Sequence, residues 1–273
     1  MAWPHLRRSL LAAWALAASG TFAQAPFPGP SGESLPFTDR EAAVRFLEQA
    51  SLVEWRELGD GTNPRKRDVT LATEGLEVRA AFRFMYEHKP GVRGFLDSYR
   101  SELAAQELAA LLGLDNVPPT AARKLKGKRG SVQLWVHGAS SYADLRRELG
   151  DAPDPPALAR QLDLLRLFDA LIANLDRNPG NILVGEDGRV WWIDHSRSFG
   201  GGERLRGLDA TGGCERTFFA ALSALDEARI RRRVGPFTPY PDALLARRRS
   251  LLSWIASRAA EDPGFLRDPG LRL

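Results

Sequence analysis

Three side chains in one stretch, NLDRNPGNILVGEDGRVWWIDHSRSF at residues 174–199, have the right types to do chemistry together: Asp176, Asn181 and Asp194. Pro179-Gly180 turns the chain between the first two, and Asp187-Gly188 suits a type I′ hairpin, whose two central residues need positive φ. With 187 and 188 at the tip, Glu186 pairs with Arg189, Gly185 with Val190 and, five rungs down, Asn181 with Asp194. Directly opposed residues have Cβ atoms about 4.5–5.5 Å apart, close enough for two oxygens to grip one cation. Amide and carboxylate oxygens suit Mg²⁺, which keeps water and phosphate as its other ligands. Asp176, across the Pro-Gly turn, stands near the pair without having to bind metal, where it could accept or orient a hydroxyl proton. An isolated D-x-x-x-x-N is most often a capped turn. The second aspartate and the long amphipathic helix ahead of the loop favour a site.

That helix, PPALARQLDLLRLFDALIANL, has Leu158, Leu162, Leu165, Phe168, Ile172 and Leu175 on one face. Asp169 within it braces the loop rather than reacting. Before it, strands are expected at about 52–57, 67–73 and 77–86, a helix at 98–112 ended by Gly113, and a strand over SVQLWVHG. Two or three helices fill 216–260. A sheet-rich first half joined to a helical second half, with motif-like loops between, reads as two lobes.

The chain has 273 residues and is 44% hydrophobic, enough for a large core. The net charge is +4, and Arg7 and Arg8 account for two of those charges, so charge gives no case for a nucleic-acid partner. Residues 1–25 have the charged start, short apolar run and small residues of a signal peptide cleaved after Ala23 or Ala25, implying export to a periplasm or beyond; an uncleaved anchor is the alternative. A single cysteine, Cys214, excludes an internal disulfide. Residues 26–37, rich in Pro, Gly and Ser, read as a flexible linker. The basic clusters at 65–67, 124–129, 231–233 and 247–249 read as solvated faces, with contact to an anionic membrane surface as a minority reading.

The 174–199 stretch resembles the catalytic and metal-binding loops of the protein-kinase-like superfamily, with Asp176, Asn181 and Asp194 matching residue by residue. The wording D-R-x-x-x-N with I-D-H is closer to phosphatidylinositol 3-/4-kinases, HipA-like kinases and secretory-pathway kinases than to ordinary protein kinases, and His195 stands where those have Phe. The resemblance implies an α+β, two-lobed protein-kinase-like fold, with the sheet-rich N-lobe at 38–137 and the helical C-lobe at 138–273. It also implies ATP with Mg²⁺ or Mn²⁺ on Asn181 and Asp194, and transfer of the γ-phosphoryl group to a protein, lipid or sugar hydroxyl. Gly59, Gly61 and Thr62 would cover the phosphates, Arg83 would contact them in the place of the usual Lys, with Arg79 or Lys89 as alternatives, Glu102 would position Arg83, and backbone groups from Gln133 to Val136 would meet adenine. A pseudokinase binding module and a nucleotidyl transferase are the two alternatives.

Overall fold

A computed structural model describes residues 27–58, 65–89, 91 and 95–268. The expected leader at 1–25 and the phosphate-covering residues Gly59, Gly61 and Thr62 lie outside the described residues.

Strands β1 (Ser51–Glu57), β2 (Lys66–Thr73) and β3 (Leu76–Arg83) form a meander. Two short strands, β4 (Tyr86–Lys89) and β5 (Phe95–Ser98), pair with each other beside helix α2 (Tyr99–Leu111), which follows α1 (Arg40–Gln49) in the chain. Strands β6 (Thr120–Leu125) and β7 (Lys128–Leu134) complete a five-stranded antiparallel sheet in the order β1-β2-β3-β7-β6. Alternate residues share a face of a strand, so Val69, Leu71, Val78, Ala80, Phe82 and Val132 build one core with Ala43 and Leu47 of α1.

Residues 27–37 are part of this core, which corrects the flexible linker expected there. Phe27, Leu35 and Phe37 are buried, and the Leu35 N–H donates to the Phe27 carbonyl at 2.8 Å. The Phe37 ring lies 5.3 Å from that of Phe46, and Phe27 reaches Trp191 at 6.3 Å. Three large apolar side chains outweigh the turn-forming composition, because each gains about 1.5–3 kcal/mol on burial.

The second lobe is built on α4 (Pro156–Ile172), preceded by β8 (Ala139–Ser141) and α3 (Tyr142–Leu149), and followed by β9 (Ile182–Gly185) and β10 (Val190–Trp192). The helices α5 (Arg216–Ala224), α6 (Glu227–Arg233) and α7 (Pro241–Glu261) pack around it, and β11 (Cys214–Glu215) pairs with β12 (Leu266–Arg267). Leu158, Leu162, Leu165, Phe168 and Ile172 are buried as a stripe. Leu175 is not on that stripe: α4 stops at Ile172, Ala173 turns left-handed at φ 52°, and Leu175 is 67% exposed.

Helix α2 serves both lobes. Ser98 caps it, accepting the Arg100 N–H at 3.0 Å, and its Ala104, Ala105, Leu108 and Ala109 join the second core. Among the described residues no helix is long and apolar enough to cross a membrane.

Replacing Phe37 by Ala is expected to cost about 3–5 kcal/mol in chemical denaturation. A loss below about 1 kcal/mol would show that residues 27–37 are not integral to the first lobe.

Candidate active site

The hairpin at 182–192 is one residue longer at its tip than a type I′ turn allows. Val184 pairs with Val190 and Ile182 with Trp192, the Gly185 N–H donates to the Arg189 carbonyl, and the loop is Glu186-Asp187-Gly188. Gly188 is the residue with positive φ, at 80°. This is the three-residue hairpin in which a type I turn is followed by a left-handed residue. Asp187 folds its carboxylate over the turn to accept the Arg189 N–H at 3.0 Å. A Cβ on Gly185 would lie 2.5 Å from that carboxylate and would push it off the turn.

The expected opposition of Asn181 and Asp194 is therefore displaced by one rung: the Ile193 N–H donates to the Asn181 carbonyl at 3.1 Å. A one-residue slip turns a strand residue to the other face. Asp194 has left the strand, however, at φ 59°, a left-handed conformation that costs a non-glycine residue of order 1–3 kcal/mol and that the surroundings must hold in place. Asn181 is joined by its carbonyl to the residue before Asp194, and its side-chain amide makes no hydrogen bond to other described residues.

What holds Asp194 is a buried charge cluster. Arg83, at the end of β3, pairs with Glu102 of α2, and the same guanidinium nitrogen is 3.6 Å from Asp194 Oδ1. Glu102 is fully buried; it accepts the His195 backbone N–H at 3.1 Å and faces His195 Nδ1 at 3.3 Å. A carboxylate opposite Nδ1 places the proton on that nitrogen. His195, itself fully buried against the edge of Phe168, thus supplies a hydrogen bond to Glu102 that phenylalanine lacks. Lys66 of β2 directly opposes Arg83 in the β2/β3 ladder, and its Nζ lies 2.8 Å from Asp194 Oδ2.

These neighbours decide the charge states. Burial opposes ionisation of Asp194, but Arg83 and Lys66 outweigh it and hold the carboxyl well below the usual carboxylate range. Glu102 is likewise lowered against its burial by Arg83 and His195, and Arg83 is raised against its burial by Asp194 and Glu102.

The loop below is braced from α4. Asp169 accepts both arms of the Arg177 fork, Nε at 2.9 Å and Nη2 at 3.0 Å, while Arg177 Nη1 donates to the carbonyls of Asn181 at 3.0 Å and Ile193 at 2.6 Å. One arginine ties the helix end to the residues flanking both candidate metal ligands. Asn178 caps the Pro179–Asn181 turn by accepting the Gly180 N–H. Asp176 is half exposed, 3.3 Å from Arg197, which also donates to Asp97 of β5 at 3.2 Å. The Arg197 guanidinium is raised by Asp97 first and then by Asp176, with a smaller contribution from Asp194. Arg197 thus pairs directly with Asp176 and also feels the charge of Asp194.

Two of the residues expected to meet nucleotide have protein partners. Gln133 stands in the ladder between β3 and β6, its side-chain amide donating to Thr120. The link between the lobes is 135–138, which contains Val136. Arg83, 5% exposed, gives its guanidinium to Glu102 and Asp194 rather than to open space. Lys66, His195, Arg177 and Arg197 are the residues that sequence reasoning missed. For Lys66 a signal existed: the turn at Glu74-Gly75 pairs Thr73 with Leu76 and so, seven rungs on, Lys66 with Arg83.

No family model matches the chain. Protein Rv2133c of Mycobacterium tuberculosis (strain ATCC 25618 / H37Rv) is 28% identical over 198 residues, covering 60% of this chain and 69% of that protein. Among solved structures, a Golgi casein kinase matches with TM-score 0.57 at 14% identity, over 85% of this chain and 79% of the other. The Helicobacter pylori proinflammatory kinase CtkA matches with TM-score 0.52 at 13% identity, over 79% and 98%. The fold is protein-kinase-like: α+β, with a sheet-rich lobe and a helical lobe.

The folded carboxyls of Asp194 and Glu102 lie below their unfolded values of about 3.9 and 4.3, so the unfolded chain binds more protons in acid. Their contribution is present above those unfolded values and is lost as pH falls through the folded ones. The urea midpoint is therefore expected to drop between pH 6 and pH 3, and by less in Glu102→Gln, which already loses about 3–5 kcal/mol at pH 7 by stranding Arg83. An equal acid drop in variant and wild type would remove Glu102 from the cluster.

Proposed function

We propose that the chain is an exported phosphotransferase that moves the γ-phosphoryl group of ATP to the hydroxyl of a protein, a lipid head group or a sugar. The observation that carries this reading is Asp194: an ionised carboxylate at the junction of the two lobes of a protein-kinase-like fold, faced by the two cations Lys66 and Arg83. The donor set fits a hard cation. Asp194 stays charged although buried, the Lys66 ammonium shows that its Oδ2 accepts a positive partner, and the side chain of Asn181 has no other hydrogen bond among the described residues. One carboxylate and one amide leave most ligand positions to water and phosphate, which is how Mg²⁺ is usually bound. Held by Asp194 and Asn181, Mg²⁺ or Mn²⁺ would neutralise charge on the transferring phosphates.

The protein's own residues supply position and proton handling. Arg177 fixes the backbone on both sides of the metal pair, and Arg83 with Glu102 fixes the strained Asp194. Asp176 receives or orients the proton of the incoming hydroxyl, and Arg197, paired with Asp176, offers positive charge to the phosphoryl group. Leu175, exposed beside Asp176, gives the acceptor side an apolar lip. Export is supported by the leader-like sequence at 1–25, and cleavage after Ala23 or Ala25 keeps Phe27, an integral core residue, in the mature chain.

Intact-mass analysis of candidate acceptors after incubation with Mg-ATP is expected to show a gain of about 80 Da per site. Asp176→Asn should slow that gain about 10²–10⁴-fold while nucleotide binding persists. A gain of about 329 Da would establish adenylyl transfer instead, and nucleotide binding with no gain would establish a binding module.

The chain recovered from outside the cytoplasm is expected to begin at Gln24 or Pro26. A recovered mass that includes residues 1–23 would replace cleavage by an anchor.

A further inference from the structure

Two basic residues meet Asp194, and they differ in freedom. Arg83 is locked: it is 5% exposed, its charge is shared between Glu102 and Asp194, and Glu102 is itself fully buried. Moving Arg83 onto a ligand would leave that buried carboxylate without its main countercharge, a cost larger than one phosphate contact repays. Lys66 is the looser of the two. Its side chain is 22% exposed, its ammonium has Asp194 Oδ2 as its one partner among the described residues, and four methylenes let it swing without moving the strand.

Charge bookkeeping around Asp194 shows what happens when a divalent cation arrives. Two carboxylates, Asp194 and Glu102, now face two cations, Arg83 and Lys66. A divalent ion on Asp194 puts surplus positive charge within a few ångströms of both, and the side chain that can leave is Lys66. A triphosphate arriving with the ion brings the negative charge that receives it.

Resting on the phosphotransferase reading above, we propose that Lys66 on β2, and not Arg83 on β3, is the phosphate-binding cation of this site, and that it is exchanged from Asp194 to nucleotide phosphate when the metal binds. Arg83 is the positioning residue that keeps Asp194 and α2 in place.

The exchange makes two binding constants move in opposite directions. Measured by calorimetry on the full chain, Lys66→Met should weaken Mn-ADP binding about ten- to a hundredfold, the size expected for one charge-assisted hydrogen bond. The same variant should bind Mn²⁺ alone several-fold more tightly, because the competing ammonium is gone. Lys66→Arg should restore most of the nucleotide affinity. A merely structural Lys66 would weaken both, and that result overturns the proposal. So does a Lys66→Met protein that binds Mn-ADP as wild type does, with the functional reading left standing. A wild-type protein that binds no Mn-ADP removes the phosphotransferase reading, and this proposal with it.

Discussion

A carboxylate can stay ionised away from water only where positive charge has been placed to meet it, and Asp194 is the point at which this protein meets that demand. Its guanidinium partner comes from β3, its ammonium partner from β2, and the acid that steadies the guanidinium from α2. None of these elements is a neighbour of Asp194 in sequence. The sheet register that opposes Lys66 to Arg83, the cap at Ser98 that starts α2 and the left-handed turn at Asp194 are all needed for one cluster to close. Breaking any one leaves a buried charge without its partner, which costs more than the intact pairs contribute.

The cluster also explains the histidine after Asp194. A phenylalanine there could pack, as His195 does against Phe168, but it could not donate to Glu102. Arg83 meets Glu102 through one guanidinium nitrogen, which also faces Asp194. The His195 backbone N–H and Nδ1 occupy the Glu102 oxygens and so hold that carboxylate for Arg83. Asp194, carried by the same dipeptide, is set by the same contacts.

How far the fold could be read from sequence depended on whether local signals had one outcome or two. The stripe on α4, the end of α2 at Gly113 and the meander of β1 to β3 follow from periodicity and glycine placement, and they are where expected. Asp187-Gly188 was ambiguous, because Asp-Gly fits both a two-residue type I′ turn and the end of a three-residue loop. The type I′ geometry is found instead at Lys126-Gly127, with φ of 44° and 78°. The pairing of Gln133 with Thr120 follows from its strand lying between β3 and β6, a neighbour relation that no spacing encodes. Lys66 was hidden by composition: three basic residues in a row suggest a solvated face, yet strand alternation sends the middle one to the side its neighbours avoid. Phe27, Leu35 and Phe37 were hidden in the same way by prolines and glycines.

The division between rigid and yielding parts of the site follows from which core owns each residue. Helix α2 sends Ala104, Ala105, Leu108 and Ala109 into the second lobe while presenting Glu102 to the first, so the lobes cannot part at that point without uncovering apolar surface. Asp169 and Arg177 anchor the 174–181 loop to α4, and Trp191 carries the hairpin into the first-lobe core beside Phe27. Arg83, Glu102, His195 and Arg177 therefore belong to a frame. Lys66, Asp176 and Arg197 do not: each is at least partly exposed and held by ion pairs to side chains rather than by packing. Ion pairs that reach solvent exchange partners at small cost, whereas a packed frame does not. A ligand with several phosphate charges entering between the lobes would therefore rearrange those three residues first and leave Asp194 where the frame holds it.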